Sequence, residues 1–292
     1  MRLVTFARGG AARLGICRKD GTAVIPLETL LIDYPDMTAL IANLTDEERE
    51  RIEQEAGATE GIPLEQIQLL APIPHPRHDV LCDGQNYVAH AIESAKFKGI
   101  EYKKPEYPVY FSKRVNQAVA PGGAIGRHGG LTEQLDYEVE LAVIIGKTCS
   151  KVSREEAFEY VFGYSIGNDI SARDVQNRHK QYSFGKGLDD SFPMGPWIVT
   201  KDELPSPPHL RIQSWVNGEP RQDGNTDDFI FDIPELISQL SEGITLEPGD
   251  ILITGTPSGV GMGFHPPKFL KSGDVVTCRI EGIGTLENVV GP

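Results

Sequence analysis

Residues 136–147, DYEVELAVIIGK, contain the longest strongly apolar run of the chain, LAVII at residues 141–145. Short apolar runs of this kind, bounded by a glycine, are typical of β-strands. Alternate residues of a strand share a face, so Asp136, Glu138 and Glu140 are expected to project together, with Tyr137 and Val139 on the opposite side. The sequence therefore predicts a strand that carries three carboxylates along one face.

Similar short runs follow one another on both sides of this strand. From residue 79 onward they alternate with Gly, Pro, Asn and Asp turns, and they read VLCDG, PVYFSK, YVFGYSIGND, GPWIVT, LRIQSWVNG, DILITGTP, DVVTCRIEG and TLENVV. Within this part of the chain only three segments show helical spacing: residues 87–97, 153–160 and 233–241. Many strands with few helices predict a mainly β, α+β fold rather than alternating βαβ units.

The N-terminal part of the chain has a different pattern. Three short strand-like runs separated by glycine turns predict a small antiparallel meander, and residues 37–56 have helical spacing. Thr45 and Glu48 have the spacing of a capping box at the start of a charged helix. The proline-rich residues 71–76 interrupt regular structure, so we predict a small domain at 1–72 and a larger one at 73–292.

Composition excludes several classes of protein. The 292 residues include 28 basic and 42 acidic ones, a net charge of −14, which argues against a nucleic-acid or anionic-membrane surface. The four cysteines are far apart and form neither a zinc motif nor a disulfide framework. No apolar signal segment opens the chain, and no run approaches the roughly 20 residues of a membrane span. We therefore expect a cytoplasmic protein.

Aligned carboxylates repel one another unless water or a cation compensates them. A hard divalent cation such as Mg²⁺ is the usual partner of such oxygen ligands, although a solvated strand face explains Glu138 and Glu140 equally well. Asp169 follows the apolar run YVFGYSIG and is placed to complete such a site. Its alternative role is the N-cap of a helical turn. Arg173 and Gln176, shortly after it, could hold an anionic ligand.

A possible acid–base pair lies in the segment NYVAHAIE. His90 and Glu93 are three residues apart on one predicted helix face, so the carboxylate could orient the imidazole for deprotonating water. The alternative is a structural or exposed histidine. Lys186 between glycines and Thr256 in TGTPSGVG lie in segments that read as ligand loops, although tight turns explain both patterns as well.

One segment runs against the acidic character of the chain. Residues 96–114 contain six basic and two acidic residues, a net charge of +4, with five aromatic residues interleaved. The surrounding negative field opposes a polyanion, which disfavours a nucleic-acid patch. We interpret the segment as a cationic mouth or lid for a small carboxylate substrate, with a solvated face as the alternative.

Taken together, these motifs resemble the fumarylacetoacetate hydrolase family. The resemblance covers residues 79–292 in order, through NYVAHAIE, PVYFSK, LDYEVELAVIIGK, GNDISARDVQ, FGKGLDDSFPMGPWIVT, LEPGDILITGTPSGVG and GDVVTCRIEGIGTLENVV. It implies a β-roll of mixed sheets behind a small strand-rich N-terminal domain, and a homodimer. Lys113-Arg114 and Asp189-Asp190 depart from the more usual residues of the family at those positions.

The resemblance also implies roles for single residues. Glu138, Glu140 and Asp169 would be ligands of Mg²⁺ or Mn²⁺, and Asp83 lies where some members supply a further ligand. His90 and Glu93 would be the dyad of a lid helix, with Lys186 as a further catalytic group. The residues that would bind the carboxylate and oxo groups of the substrate are Arg173, Gln176 and Thr256.

The function implied is a divalent-metal-dependent enzyme that cleaves a C–C bond in 2-oxo acids, by acylpyruvate hydrolysis or oxaloacetate decarboxylation through an enolate. One alternative is an isomerase of 2-hydroxyhepta-2,4-diene-1,7-dioate, in which Arg114 would hold the second carboxylate. A non-catalytic carboxylate-binding protein is an alternative of another class. The shared site residues do not separate these activities.

Overall fold

Short strands make up most of the regular structure of the chain, and the structure, a computed structural model, describes all of residues 1–292. The strands are β1 (Arg2–Arg8), β2 (Ala11–Cys17), β3 (Ala23–Pro26), β4 (Ile62–Pro63), β5 (Gln68–Leu69), β6 (Val80–Asp83), β7 (Tyr110–Lys113), β8 (Ala124–Ile125), β9 (Leu135–Asp136), β10 (Val139–Ile145), β11 (Val161–Asn168), β12 (Ser171–Ala172), β13 (Met194–Thr200), β14 (Arg211–Val216), β15 (Glu219–Asn225), β16 (Ile251–Ile253), β17 (Val275–Ile280) and β18 (Gly284–Val290). The α-helices are α1 (Met37–Asn43), α2 (Asp46–Ala58), α3 (Val88–Lys98), α4 (Arg173–His179), α5 (Tyr182–Lys186) and α6 (Ile233–Gly243).

The strands form one large sheet and two smaller ones. The large sheet has eleven strands in the order β4-β3-β2-β1-β13-β11-β10-β16-β6-β7, with β5 paired to β1. A five-stranded sheet has the order β15-β14-β17-β18-β8, and β12 pairs with β9. The large sheet is mixed, because β16 and β6 are parallel whereas β10 is antiparallel to both of its neighbours. The predicted α+β fold with mixed sheets and few helices is confirmed.

Strand β10 is buried on both faces, and this explains its unbroken apolar run. Leu141, Val143 and Ile145 pack in the cluster of 33 buried residues that also contains side chains of the five-stranded sheet and α6. Ala142 and Ile144, on the opposite face, pack in a second cluster of 23 residues with side chains of the N-terminal strands and helices. The strand that follows Glu138 and carries Glu140 therefore contributes to both cores.

The N-terminal meander and capping box are present as predicted. β1, β2 and β3 pair antiparallel in sequence order. Thr45 and Glu48 form a reciprocal capping box at the start of α2, and a break at Leu44 divides the predicted helical segment into α1 and α2. β1 also pairs with β13, so the N-terminal strands extend the large sheet. The division of the chain into domains at residue 72 stays a prediction.

The predicted helices differ in how well they match the structure. α3 and α6 lie within a residue or two of the predicted 87–97 and 233–241. The segment 153–160 contains only a short 3₁₀ helix, Ala157–Tyr160. The two short helices α4 and α5 were not predicted, because five to seven residues give too little periodicity to detect.

All four cysteines are free and buried, which confirms that they form no disulfide. None of the helices combines the length and hydrophobicity that crossing a membrane requires.

Candidate active site

The predicted carboxylates meet at one end of two paired strands. Glu138 precedes β10, Glu140 is the second residue of β10, and Asp169 follows β11. The register pairs Val139 with Asn168, which places the three acidic residues side by side. One oxygen of each carboxylate lies within 4.8 Å of the others, and all three residues are buried. The alternative of a solvated strand face is therefore wrong.

Two buried cations contact this group. Nζ of Lys186 lies 2.5 Å from Oε2 of Glu138 and also contacts Asp169. Nη2 of Arg173 lies 2.6 Å from Oε1 of Glu138, while its Nε donates to Oδ2 of Asp136 at 2.9 Å. Both cations are site residues predicted from the sequence, and the structure brings them together at Glu138.

A third cation, Lys113, was not predicted as a site residue. It is completely buried, with Nζ 3.0 Å from Oδ1 of Asp169 and 3.0 Å from the carbonyl oxygen of Ile170, to which it donates. The sequence showed Lys113 as the end of a short strand, as one basic residue of the segment 96–114 and as part of a departure from the family pattern. Its burial follows from the pairing of β7 with β6, where Lys113 is opposite Val80, and no local pattern indicates that pairing.

The buried carboxylates are compensated unequally. Burial raises the pKa of Glu140 well above its usual value, and the neighbouring charges of Asp169 and Glu138 raise it further. Burial also acts to raise the pKa of Glu138, but Lys186 and Arg173 outweigh it and hold that pKa below its usual value. Glu140 is therefore the carboxylate whose charge is least well balanced by the protein.

This donor set fits a divalent cation. Mg²⁺ and Mn²⁺ prefer hard oxygen ligands such as these three carboxylates. A bound cation would also supply the positive charge that balances Glu140. The hydrogen bond that Glu140 accepts comes from the backbone N–H of Gly255, at 2.7 Å. Glu138, Glu140 and Asp169 are therefore the residues that would hold a metal.

Asp136 has a different role from the other carboxylates on its segment. Its oxygens accept hydrogen bonds from the backbone N–H groups of Gly261, at 2.6 Å, and Met262, at 3.1 Å, besides the one from Arg173. Asp136 thus holds the loop after Thr256 against Arg173 and lies outside the group that could bind a metal.

Asp169 is not a helix cap, so that alternative is also wrong. The N-cap of α4 is Ala172, which makes no side-chain cap hydrogen bond. The hydroxyl of Ser171 donates instead to the backbone carbonyl oxygen of Asp169, at 2.8 Å. The carboxylate of Asp169 is left to face Lys113 and Lys186.

The predicted dyad is formed on α3. Nδ1 of His90 lies 3.2 Å from Oε2 of Glu93, and Oε1 of Glu93 accepts the backbone N–H of Gly259 at 3.0 Å. Gly263 packs so closely against Glu93 that an added Cβ would lie 1.9 Å from Oε1. Because Nδ1 is taken by Glu93, Nε2 is the ring nitrogen left to meet a ligand.

His90 of the dyad and Glu138 of the three carboxylates line one cavity of about 280 Å³. Its walls come from α3, α4, α5 and the strand ends between them, and they are formed by Gly84, His90, Ser94, Phe97, Lys98, Phe111, Glu138, Arg173, Gln176, Asn177, Lys180, Tyr182, Lys186 and Met262. Five of the predicted site residues are therefore brought to one cavity: His90, Glu138, Arg173, Gln176 and Lys186. Glu140 and Asp169 are fully buried beside Glu138.

Residues 79–291 match the family described as fumarylacetoacetate (FAA) hydrolase C-terminal. The chain belongs to the FAA hydrolase family. It is 51% identical over 228 residues to the oxaloacetate tautomerase YisK of Bacillus subtilis (strain 168), a match that covers 78% of this chain and 74% of the relative. The resemblance predicted from the motifs is confirmed.

Solved structures of the FAA hydrolase family share the whole fold. A fumarylacetoacetate hydrolase from Exiguobacterium antarcticum is 37% identical, with a TM-score of 0.83 and coverage of 100% of this chain and 99% of that chain. Maleylpyruvate hydrolase from Sphingobium sp. SYK-6, in complex with manganese(II) and pyruvate, is 32% identical, with a TM-score of 0.78 and coverage of 100% of both chains. The N-terminal part of the chain is thus included in the structural match.

Thr256 and Arg114, like Glu93, Glu140 and Asp169, do not line the cavity. The hydroxyl of Thr256 donates to the carbonyl oxygen of Val139 at 2.8 Å and accepts from Nε2 of Gln222 at 2.7 Å, and the residue is buried. Arg114 is exposed and does not line the cavity. Substrate binding by Thr256 stays a prediction.

Asp83 lies outside the group of three carboxylates. It is buried at the end of β6, where Oδ1 accepts the backbone N–H of Val109 at 3.1 Å and Oδ2 has no hydrogen-bond partner. Burial raises the pKa of Asp83 to about 6. Its position next to Gly84, a wall residue, places it near the cavity, and its role as a further metal ligand stays a prediction.

Proposed function

We propose that this FAA hydrolase family member is a Mg²⁺- or Mn²⁺-dependent tautomerase that interconverts the keto and enol forms of a small 2-oxo acid of the oxaloacetate class. The observation that carries the proposal is a single cavity in which His90, with Nδ1 held by Glu93, shares the wall with Glu138 and Lys186. The identity of 51% to an oxaloacetate tautomerase supports it.

The proton transfer is assigned to His90. With Glu93 accepting from Nδ1, the neutral ring has a free lone pair on Nε2, which takes a proton from C3 of the keto acid. The electron pair of that C–H bond becomes the C2=C3 double bond, and the 2-oxo oxygen takes up the negative charge. The enol forms when this oxygen takes a proton from solvent, and the reverse sequence returns the proton from Nε2 to C3.

The other residues of the site hold the substrate and balance charge. A divalent cation held by Glu138, Glu140 and Asp169 would act as a Lewis acid toward the 2-oxo oxygen. Lys186 is placed to stabilise negative charge that develops beside Glu138, because its ammonium is already fixed there by two carboxylates. Gln176 and Arg173 offer donors to the carboxylate of the substrate.

A second candidate is cleavage of a C–C bond in an acylpyruvate or in oxaloacetate. The same geometry favours it for an acylpyruvate, since Nε2 of His90 could take a proton from a water molecule that attacks the distal carbonyl carbon; oxaloacetate would instead lose CO₂ without attack by water. The carbon–carbon bond then breaks, and its electron pair stays on the departing pyruvate enolate. An isomerase of 2-hydroxyhepta-2,4-diene-1,7-dioate would use the same proton transfer, but Arg114 is not on the cavity wall to hold its second carboxylate.

One pair of assays tests the proposal. Enol-oxaloacetate is supplied with Mg²⁺ or Mn²⁺, the decay of its ultraviolet absorbance is followed, and pyruvate is measured in parallel with a coupled enzyme. A tautomerase accelerates the decay without releasing pyruvate, whereas a decarboxylase releases pyruvate in step with it. His90→Asn should abolish the acceleration, and Lys96→Ala, on the same helix but outside the cavity wall, should not. No effect of the wild-type protein with either metal would contradict the proposal.

We further propose that the protein acts as a cytoplasmic homodimer, as the family resemblance implies. Sedimentation at several protein concentrations tests the oligomeric state.

A further inference from the structure

Two lysines from different helices line the mouth of the cavity. Lys98 is the last residue of α3, the helix that carries His90, and Lys180 directly follows α4, with a backbone φ of 57°. Both residues are exposed, and both line the cavity whose wall also includes His90 and Glu138. The mouth of the site is therefore positively charged on two sides.

The lysines at the mouth differ from the cations deeper in the cavity. Arg173 and Lys186 are each paired with buried carboxylates within 2.9 Å, whereas neither Lys98 nor Lys180 takes part in an ion pair. Nζ of Lys98 lies instead 5.7 Å from the centre of the Tyr182 ring. In a chain with a net charge of −14, two unneutralised ammonium groups at one cavity mouth are placed to attract and hold an anion.

We propose that Lys98 and Lys180, with the exposed amide of Asn177 on the same wall, form a subsite for a second, distal carboxylate of the substrate. The substrate class is then a 2-oxo dicarboxylate, bound at one end by the deep cations and at the other by the lysines. This inference rests on the proposed function, because it assumes that a 2-oxo acid occupies the same cavity. It assigns the preference for dianions over monoanions to Lys98 and Lys180, which lie outside the group formed by Glu138, Glu140 and Asp169.

The subsite refines the interpretation of the basic segment 96–114. Of its six basic residues, Lys98 alone lines the cavity, while Lys113 is buried beneath it and Arg114 is exposed elsewhere. The second lysine of the subsite, Lys180, comes from outside the segment. If the segment acted only through its positive field, replacing any of its exposed basic residues would weaken substrate binding equally. A subsite predicts instead that only replacement of Lys98 or Lys180 weakens it.

The test compares two substrates that differ at the distal group. Oxaloacetate carries a second carboxylate, and 2-oxobutanoate has a methyl group in its place. Turnover of oxaloacetate is followed by enol absorbance, and that of 2-oxobutanoate by exchange of its C3 protons for deuterium. The variants are Lys98→Ala, Lys180→Ala and the double variant, and the matched control variants are Lys96→Ala and Lys103→Ala, two exposed lysines of the same segment that do not line the cavity.

Each subsite variant is expected to raise KM for oxaloacetate about tenfold, because it loses one charge-assisted hydrogen bond to the substrate. The value of kcat should change little. KM for 2-oxobutanoate should stay within about twofold of the wild type, because that substrate makes no contact with the lysines. Equal effects of Lys96→Ala and Lys98→Ala, or equal losses for the two substrates, would overturn the subsite and leave the proposed function standing.

A binding measurement separates failure of the subsite from failure of the proposed function. If the wild-type protein turns over neither 2-oxo acid, the proposed function has failed, and calorimetric titration with the same two compounds and Mg²⁺ still tests the subsite. Tighter binding of oxaloacetate than of 2-oxobutanoate, lost in the double variant, supports the subsite. Equal binding of the two compounds by the wild type overturns it.

Discussion

The ammonium group of Lys113 lies 3.0 Å from Oδ1 of Asp169, and both side chains are completely buried. Lys113 also donates to the backbone carbonyl oxygens of Ile170 and Lys186. One buried cation thus ties the strand end that supplies Asp169 to the short helix that supplies Lys186. Burial lowers the pKa of Lys113 despite the opposing charge of Asp169.

Replacing Lys113 should destabilise the protein strongly. Lys113→Met keeps the length of the side chain but leaves the carboxylate of Asp169 without this partner, and breaking a buried pair costs about 3–5 kcal/mol. The free energy of unfolding, measured in urea with a chelator present, should fall by that amount. Lys103→Met, at an exposed lysine, is the control and should change it little. A Lys113 variant as stable as the wild type would show that the pair does not hold the site together.

Glu140 offers a test of metal binding that does not depend on activity. Glu140→Gln retains an oxygen that can accept the N–H of Gly255, but it removes the carboxylate whose pKa burial and neighbouring charges raise. The metal-free variant should therefore be at least as stable as the wild type. Its affinity for Mn²⁺, measured by calorimetry, should fall by about tenfold or more, since carboxylates are the preferred ligands. Unchanged Mn²⁺ affinity would exclude Glu140 as a ligand.

Glu93 should act through the tautomer of His90. In Glu93→Gln the amide oxygen can still accept from Gly259, so that the amide NH₂ faces Nδ1 of His90. Nδ1 then becomes the acceptor, Nε2 carries the proton, and the ring can no longer act as a base. We expect kcat to fall by about a hundredfold or more with little change in KM. A larger effect on KM than on kcat would indicate a role in binding instead.

Gly263 should be required because of its contact with Glu93. A Cβ at this position would lie 1.9 Å from Oε1 of Glu93, so Gly263→Ala must displace the carboxylate from Gly259 and His90. The variant should reproduce the loss of kcat of Glu93→Gln. Gly129→Ala is the matched control, since no atom lies within 4 Å of the position of its Cβ. Full activity of Gly263→Ala would show that the position of Glu93 is not critical.

The buried carboxyl of Asp83 should make stability depend on pH. Burial raises its pKa from 3.8 to about 6, so between these values the unfolded chain has lost this proton while the folded protein retains it. The contribution of Asp83 to the free energy of unfolding therefore falls as pH rises from about 4 to about 6, by about 3 kcal/mol, and is constant above that range.

Asp83→Asn removes this titration while keeping an acceptor for Val109. The stability of the variant relative to the wild type should rise between pH 4 and about 6 and then level off, as measured by urea unfolding at several pH values with a chelator present. A constant difference across the range would contradict the raised pKa.

The sequence predicted those parts of the site that follow from local periodicity. Alternation along β10 correctly indicated that Glu138 and Glu140 share a face, and the three-residue spacing on α3 correctly indicated the contact of His90 with Glu93. Both predictions depend only on the geometry of a single strand or helix.

The parts that were missed depend on how distant segments pack. Lys113 reaches Asp169 because β7 lies at the edge of the sheet beside β6, and Lys180, which follows α4, lines the same cavity as Lys98 of α3. Thr256 belongs to a predicted ligand loop, and the structure adds that its hydroxyl accepts a hydrogen bond from Gln222 of β15. No spacing within one segment reveals these relationships.

Strand β10 belongs to both hydrophobic cores, and this limits which parts of the protein are free to diverge. Val139 and Leu141, on either side of Glu140, belong to the larger core, so a substitution at either position disturbs its packing. Lys98 and Lys180 lie at exposed helix ends, where an exchange costs little stability. New substrate preferences can therefore arise within this fold through substitutions at the cavity mouth, at little cost in stability.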